Sequence, residues 1–303
     1  MRTIGYTVGA EDQGRTVEQF LKARGVSRRV IIALKKTPDG LLRNGAHVRT
    51  IDPLAAGDAL EINLPQTSKR MPPCPVPVPV LYEDEDVLVY DKPAGMPCHQ
   101  SGGHIHGTLS GVWAARCGEA VTPFRAVNRL DKDTTGALVA AKNQLAAGKL
   151  WRRLSKVYVA VVAGSLPRDR DLIDLPIQRE APYEMRRVVD PEGQRAVTRY
   201  RVLARDPAGA CTLAAFFLET GRTHQIRVHM AHLGHPVVGD GFYGGPTGEM
   251  ARQALHCAGV RFPHVLTGRP VMVTAPWPAD MAALMEAHGL FPDEELLRLL
   301  PEE

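Results

Sequence analysis

Along most of the chain the apolar positions recur every second residue, the period of a half-buried strand, and a few stretches change to the wider spacing of a helix. The first helical stretch is "TVEQFLKARG", closed by Gly25. The second, "SRRVIIALKK", puts Val30, Ile31 and Leu34 on one face behind Ser27 as N-cap, leaving Arg28, Arg29, Lys35 and Lys36 for the outer face and the ends. In "GLLRNGAHVRT" the pair Asn44-Gly45 predicts a tight hairpin, and "GDALEINLP" alternates as a closing strand. The stretch "MPPCPVPVPV", Met71 to Val80, then breaks the pattern with five prolines in eight residues. Proline fits neither a helix interior nor a central strand, so an extended, semi-rigid spacer is expected. The chain is therefore divided into a small α/β module at 1–67, a linker at 68–80 and a large domain at 81–303.

Strand patterns dominate the large domain. "PVLYEDEDVLVYDKP" predicts two strands around an acidic turn, and "SKVYVAVVAG" a valine-rich strand. "RAVTRYRVLARDPAGACTLAAFFLETG" predicts a long hairpin turning at Asp206-Pro207-Ala208-Gly209. Helices are expected at "NQLAAGKLWRRLS" and from Thr223 in "THQIRVHMAHLG", the latter closed by Gly234. This order predicts an α+β fold, with a mainly antiparallel mixed sheet flanked by helices.

Composition narrows the classes. With 303 residues, 44% of them hydrophobic, the chain can bury a sizeable core. No apolar run is long enough to span a membrane, and "MRTIGYTVGAEDQGR" is too polar for a signal peptide. The five cysteines are far apart, with no Cys-x-x-Cys pair, so a reduced, cytoplasmic protein is expected. The net charge of +4 hides an asymmetry: from Pro278 onward seven acids face one base, which leaves the body at +10. A basic body suggests a polyanionic partner.

Three polar segments are candidates for chemistry. "VNRLDKDTTGALVAAKN" crowds Arg129, Asp131, Lys132 and Asp133 before an apolar strand, where a plain polar turn is the alternative reading. In "SKVYVAVVAG", Lys156 and Tyr158 share one strand face. Tyr158 is then either a core ring or an aromatic face for a base. In "ETGRTHQIRVHMAHLGHPVVGDGFYG", Arg227 projects from the first half of a helix whose apolar residues surround it. A buried guanidinium requires a carboxylate, and Asp131 is available. The histidines 99, 104, 106, 224, 229, 232, 235 and 256 raise a metal-hydrolase reading. "HQSGGHIHG" brings no carboxylate, however, and "HMAHLGH" lacks the glutamate of the His-Glu-x-x-His pattern, so no metal is expected.

On these residues the chain resembles the RluA-type RNA pseudouridine synthases along nearly its whole length. The stretch Asn128-Arg129-Leu130-Asp131-Lys132-Asp133-Thr134-Thr135-Gly136 is similar to the family's aspartate motif, with Asn128 for the usual histidine and Thr135 for the usual serine. Lys156-Val157-Tyr158, the run Gly221 to His229, "GHPVVGDGFYG" and Leu255-His256 continue the resemblance. The N-terminal module resembles an RNA-binding domain named after a small-subunit ribosomal protein. The resemblance implies a cofactor-free isomerisation of uridine to pseudouridine, with Asp131 as catalytic residue. Tyr158 would stack on the freed uracil, its hydroxyl being a candidate for taking the C5 proton; Arg227 would keep Asp131 anionic, and Arg129 would fill the space left by an extruded nucleotide or hold the flanking phosphate. The expected partner is RNA, large-subunit rRNA first and tRNA as the alternative. A non-catalytic RNA-binding or ribosome-assembly protein on the same fold is the competing reading.

Overall fold

The computed structural model describes residues 2–65, 71–100, 105–118 and 123–291. Position 104 and the linker residues 68–70 lie outside them, as does most of the acidic C-terminal end.

The first sixty-odd residues build their own small core. Helices Val17–Ala23 and Arg28–Lys35 bury Val17, Phe20, Leu21, Val30, Ile31 and Leu34 against a four-stranded antiparallel sheet. Thr16 closes a full capping box with Gln19, and Ser27 caps the second helix through the amide of Val30. The Asn44-Gly45 turn forms as its sequence demands, with positive φ at both residues. Strand Arg2–Thr7 was not anticipated: it pairs with Ala59–Leu64 and alternates in burial, but Ile4 and Tyr6 are the only apolar side chains on its inner face. The module sits on the large domain, where Leu145 joins its core and Arg2 reaches Glu85 and Asp86.

A ten-stranded sheet organises the large domain. Its spatial order is Arg170–Asp174, Val197–Arg205, Cys211–Leu218, Ser155–Ala163, Leu255–Pro263, Thr135–Ala141, Val87–Lys92 and Val80–Glu83. Two further strands hang on this path, Pro270–Thr274 on Leu255–Pro263 and Arg125–Ala126 on Thr135–Ala141. The pairing is antiparallel except where Leu255–Pro263 meets Thr135–Ala141, which bears out the mainly antiparallel mixed sheet. The hairpin Val197–Arg205 and Cys211–Leu218 is present, and Asp206 stabilises its turn by accepting the amides of Ala208 and Ala210. The acidic turn before Val87 is closed the same way by Asp84, which accepts the amides of Asp86 and Val87.

Two details depart from the sequence reading. The proline-rich stretch is extended, but from Met71 onward it lies along the large domain as a strap. Met71 and Val78 pack on the core, and the Cys74 amide donates to the Gly111 carbonyl of helix Leu109–Cys117. That helix was not foreseen, because its Ser110 and Gly111 are small residues accommodating the strap rather than an amphipathic stripe. The helix expected from Thr223 begins instead at Gln225 and ends at His232, with His224 in the left-handed region at φ 58°. Gly234 follows its C-cap Leu233 at φ 81°, as its position predicts.

Candidate active site

The loop from Asn128 to Thr134 leaves strand Arg125–Ala126 and enters strand Thr135–Ala141. Buried groups fix its backbone at almost every step. The Asn128 amide spans the adjacent strand, donating to the Ala137 carbonyl at 3.1 Å and accepting the Val139 amide at 2.8 Å. Cys98 holds Leu130 through both its carbonyl and its amide. Lys92 is wholly buried, and its ammonium donates to the carbonyls of Pro93, Met96 and Lys132 at 2.7, 2.9 and 2.9 Å. Burial lowers the pKa of that ammonium to about 8. Gly136 follows with φ 105°, where any Cβ would collide with the Cys257 carbonyl, so the two parallel strands approach here only because position 136 is glycine. Thr135 Oγ1 meets His256 Nδ1 at 2.8 Å across the same junction. The two positions that depart from the family's usual residues thus both serve to tie down the loop.

Asp131 keeps a quarter of its side chain exposed. Arg227, from helix Gln225–His232, donates Nη1 to Asp131 Oδ2 at 3.1 Å. The same guanidinium forms a bidentate pair with Asp240, Nε to Oδ2 at 2.6 Å and Nη2 to Oδ1 at 2.8 Å. Asp240 is almost fully buried. Arg227 therefore serves two carboxylates, and Asp131 is the secondary partner rather than its sole counter-charge. The sequence reading missed Asp240 even though it lies in the segment that carries the resemblance. Burial works against the charge of Arg227, but the two carboxylates outweigh it and hold the guanidinium pKa above its ordinary value. Rings complete the setting: Tyr243 lies 5.0 Å and Phe242 6.0 Å from the guanidinium carbon.

His224 also belongs here. Its left-handed backbone places Nδ1 2.8 Å from Tyr243 Oη and Nε2 4.0 Å from Asp131. Burial lowers its pKa below the ordinary 6.5, so at neutral pH it meets Asp131 as an uncharged ring. A histidine outside the helix it precedes leaves no periodic trace, and so periodicity did not find it.

Asp131, Arg129, Tyr158 and Arg227 line one cavity of about 610 Å³, together with His224, Lys156, Arg222 and Leu255. That volume suits a nucleoside. Strand pairing to Phe216 on one side and Cys257 on the other fixes the Tyr158 backbone, and its side chain is buried. Burial raises the phenol pKa well above the ordinary 10, helped by the neighbouring Cys257 and Asp131. Arg129 is exposed at the cavity wall. Among the described residues, the histidines behind the metal reading do not converge. His229 bonds Thr198 and Leu175, His235 bonds the Ala163 carbonyl, and His256 bonds Thr135. Among the described residues, metal-ligand spacing occurs at Asp206, Cys211 and His288, none of which lines this cavity. No helix of the described residues is long and apolar enough to cross a membrane.

A base-sized cavity in which the Asp131 carboxylate and the Tyr158 ring meet defines an RNA-modifying isomerase once its relatives are set beside it. Residues 86–232 match the RNA pseudouridylate synthase family. The RNA pseudouridine synthase YjbO of Bacillus subtilis is 37% identical over 286 residues, covering 90% of this chain and 99% of the relative. The ribosomal large subunit pseudouridine synthase D of Xanthomonas campestris is 39% identical over 274 residues, covering 83% and 82%. Among solved structures, the human RNA pseudouridylate synthase domain containing 1 superposes with a TM-score of 0.55 at 27% identity, covering 72% of this chain and 97% of that one. The chain belongs to the RNA pseudouridylate synthase family and isomerises uridine in RNA to pseudouridine.

Proposed function

We propose that Asp131 carries out the isomerisation and that the other cavity residues hold the nucleotide for it. The observation that carries this reading is the 3.1 Å contact between Arg227 and the one loop carboxylate that opens into the cavity shared with Tyr158. The reaction breaks N1–C1′ and forms C5–C1′; C5 gives up a proton and N1 gains one. Asp131 begins it either by attacking C1′ or by removing the proton at C2′, and in both it acts as a carboxylate that Arg227 orients through Oδ2. No redox change or donated group enters this balance, so the reading calls for neither cofactor nor metal. Tyr158 offers its ring to the detached uracil. Its buried phenol stays protonated at neutral pH, so its hydroxyl is poorly suited to take the C5 proton directly. Tyr158→Phe accordingly keeps most of the activity, within about tenfold of wild type; abolished turnover would return the proton transfer to the hydroxyl. Arg129, exposed two residues before Asp131, suits the space vacated by an extruded uridine or the phosphate beside it.

Large-subunit rRNA is the proposed substrate, supported by the names of relatives such as that of Xanthomonas campestris and by the basic module at 1–67. In this reading the module is a ribosomal-protein-type RNA grip, 68–80 is the connection, 81–303 is the catalytic domain, and the protein works in the cytoplasm. Pseudouridine maps of rRNA and tRNA from cells with and without the gene test it. A large-subunit position that loses its pseudouridine fits the proposal, and a loss confined to tRNA replaces the substrate.

A further inference from the structure

The rim of the cavity carries an aromatic group that the chemistry above leaves unused. Trp151 is 66% exposed, yet it lines the same cavity as Asp131 and Tyr158, next to Arg152, Leu154 and Lys156. Folding usually removes so large a ring from water, so its exposure beside a site is informative. The turn that presents it is rigid. The Trp151 amide closes helix Gln144–Leu150 on the Ala147 carbonyl at 3.1 Å, and the Arg153 amide bonds the Leu150 carbonyl at 3.0 Å. Between them Arg152 sits at φ 70°, a left-handed conformation that a residue with a Cβ rarely adopts. The chain then enters strand Ser155–Ala163, which bears Tyr158. The exposed indole and the buried phenol are thus carried by one continuous, fixed segment.

Cations surround this rim. Arg152 and Arg129 line the cavity with Trp151. Lys156 and Arg222 line it as well. Glu219 also lines the cavity, but its carboxylate is occupied by Arg199 at 2.6 Å and approached by Arg195. An exposed ring among crowded positive charges suits a nucleotide, which brings a flat base and a phosphate together.

We propose that Trp151 and Arg152 form a stacking platform on the cavity rim for an unpaired nucleotide that neighbours the target uridine, its base on the indole and its phosphate at the guanidinium. The platform rests on the RNA-isomerase reading and adds to it a site that selects the flanking sequence or holds it open. Aromatic stacking of one base corresponds to roughly 5- to 150-fold in affinity.

The test compares wild type, Trp151→Ala and Trp151→Phe on deproteinised large-subunit rRNA from cells lacking the gene. Pseudouridine formation and tryptophan emission are both followed. Trp151→Ala is expected to raise KM by that factor with a smaller change in kcat, and Trp151→Phe to recover most of the loss. RNA is expected to quench the wild-type emission, and most of the quench to be lost in Trp151→Phe, since Trp113 is buried and the half-buried Trp277 packs on the core against His256. A KM for Trp151→Ala equal to that of wild type, a loss that phenylalanine does not repair, or the same quench in Trp151→Phe as in wild type each overturns the platform. If wild type binds this RNA but forms no pseudouridine, the substrate assignment fails instead, and the emission comparison still decides on the platform.

Discussion

Arg227 and His288 are each held between two carboxylates, and they lead to opposite conclusions. Arg227 bridges Asp131 and Asp240 inside the large domain, and one of its two acids faces a cavity. His288 bridges Asp206 at 3.1 Å and Glu249 at 2.7 Å after helix Ala279–Ala287, where Asp206 closes a hairpin turn and Glu249 is mostly exposed. Residue types alone would rate the second cluster as highly as the first, since it even adds Cys211. The difference lies in what surrounds the cation. A permanently charged guanidinium, mostly sequestered from water, holds the buried acid bidentately and the loop acid through one oxygen only, which leaves the other oxygen for chemistry. A titratable ring near the surface pins a helix end to a turn, and its partners do not line the cavity that Asp131 faces.

Breaking the larger arrangement is expected to do the most damage. Arg227→Ala strands Asp240 as a buried charge without its cation. A stability loss of about 3–5 kcal/mol is expected in chemical denaturation, along with loss of turnover. Wild-type stability would show that Asp240 finds another partner. Next in size is Asp240→Asn, which keeps the shape but turns the bidentate pair into a neutral contact and frees Arg227 to shift. Turnover is expected to fall by up to about 100-fold while Asp131 is still present; an unchanged kcat would show that Asp131 alone orients the guanidinium.

The smallest effect is expected at His288. Its folded-state pKa is raised above the ordinary 6.5, chiefly by the hydrogen bond to Glu249. A raised value means that the folded protein binds the proton more tightly. The stabilisation is therefore fully present below about 6.5 and is lost as pH rises through the folded-state value. His288→Gln is expected to remove that pH dependence at a loss under about 1 kcal/mol, with turnover intact. A parallel stability–pH curve for the variant would place the titration elsewhere.

The sequence showed the paired partners Asp131 and Arg227, because a guanidinium within an apolar helix must find a carboxylate and the loop supplies one. It did not show Asp240 or His224. One lies in a glycine-rich turn and the other in a left-handed residue before a helix, and neither position leaves a period to read. Strand content was legible wherever alternation was strong, as in Ser155–Ala163. It failed at Arg2–Thr7, where Ile4 and Tyr6 alone face the core and the strand is too short in apolar positions to stand out. The strap along Met71–Val78 was read as extended from its prolines, but its contact with the core depends on Gly111, far away in the chain.

The most direct measurement is single-turnover pseudouridine formation by Asp131→Asn beside wild type, with RNA affinity measured on the same preparations. Asparagine preserves the loop and its hydrogen bond to Arg227 through the amide oxygen, so RNA affinity should stay within a few-fold of wild type while no pseudouridine forms above background. Formation at the wild-type rate would contradict the assignment of the chemistry to this carboxylate.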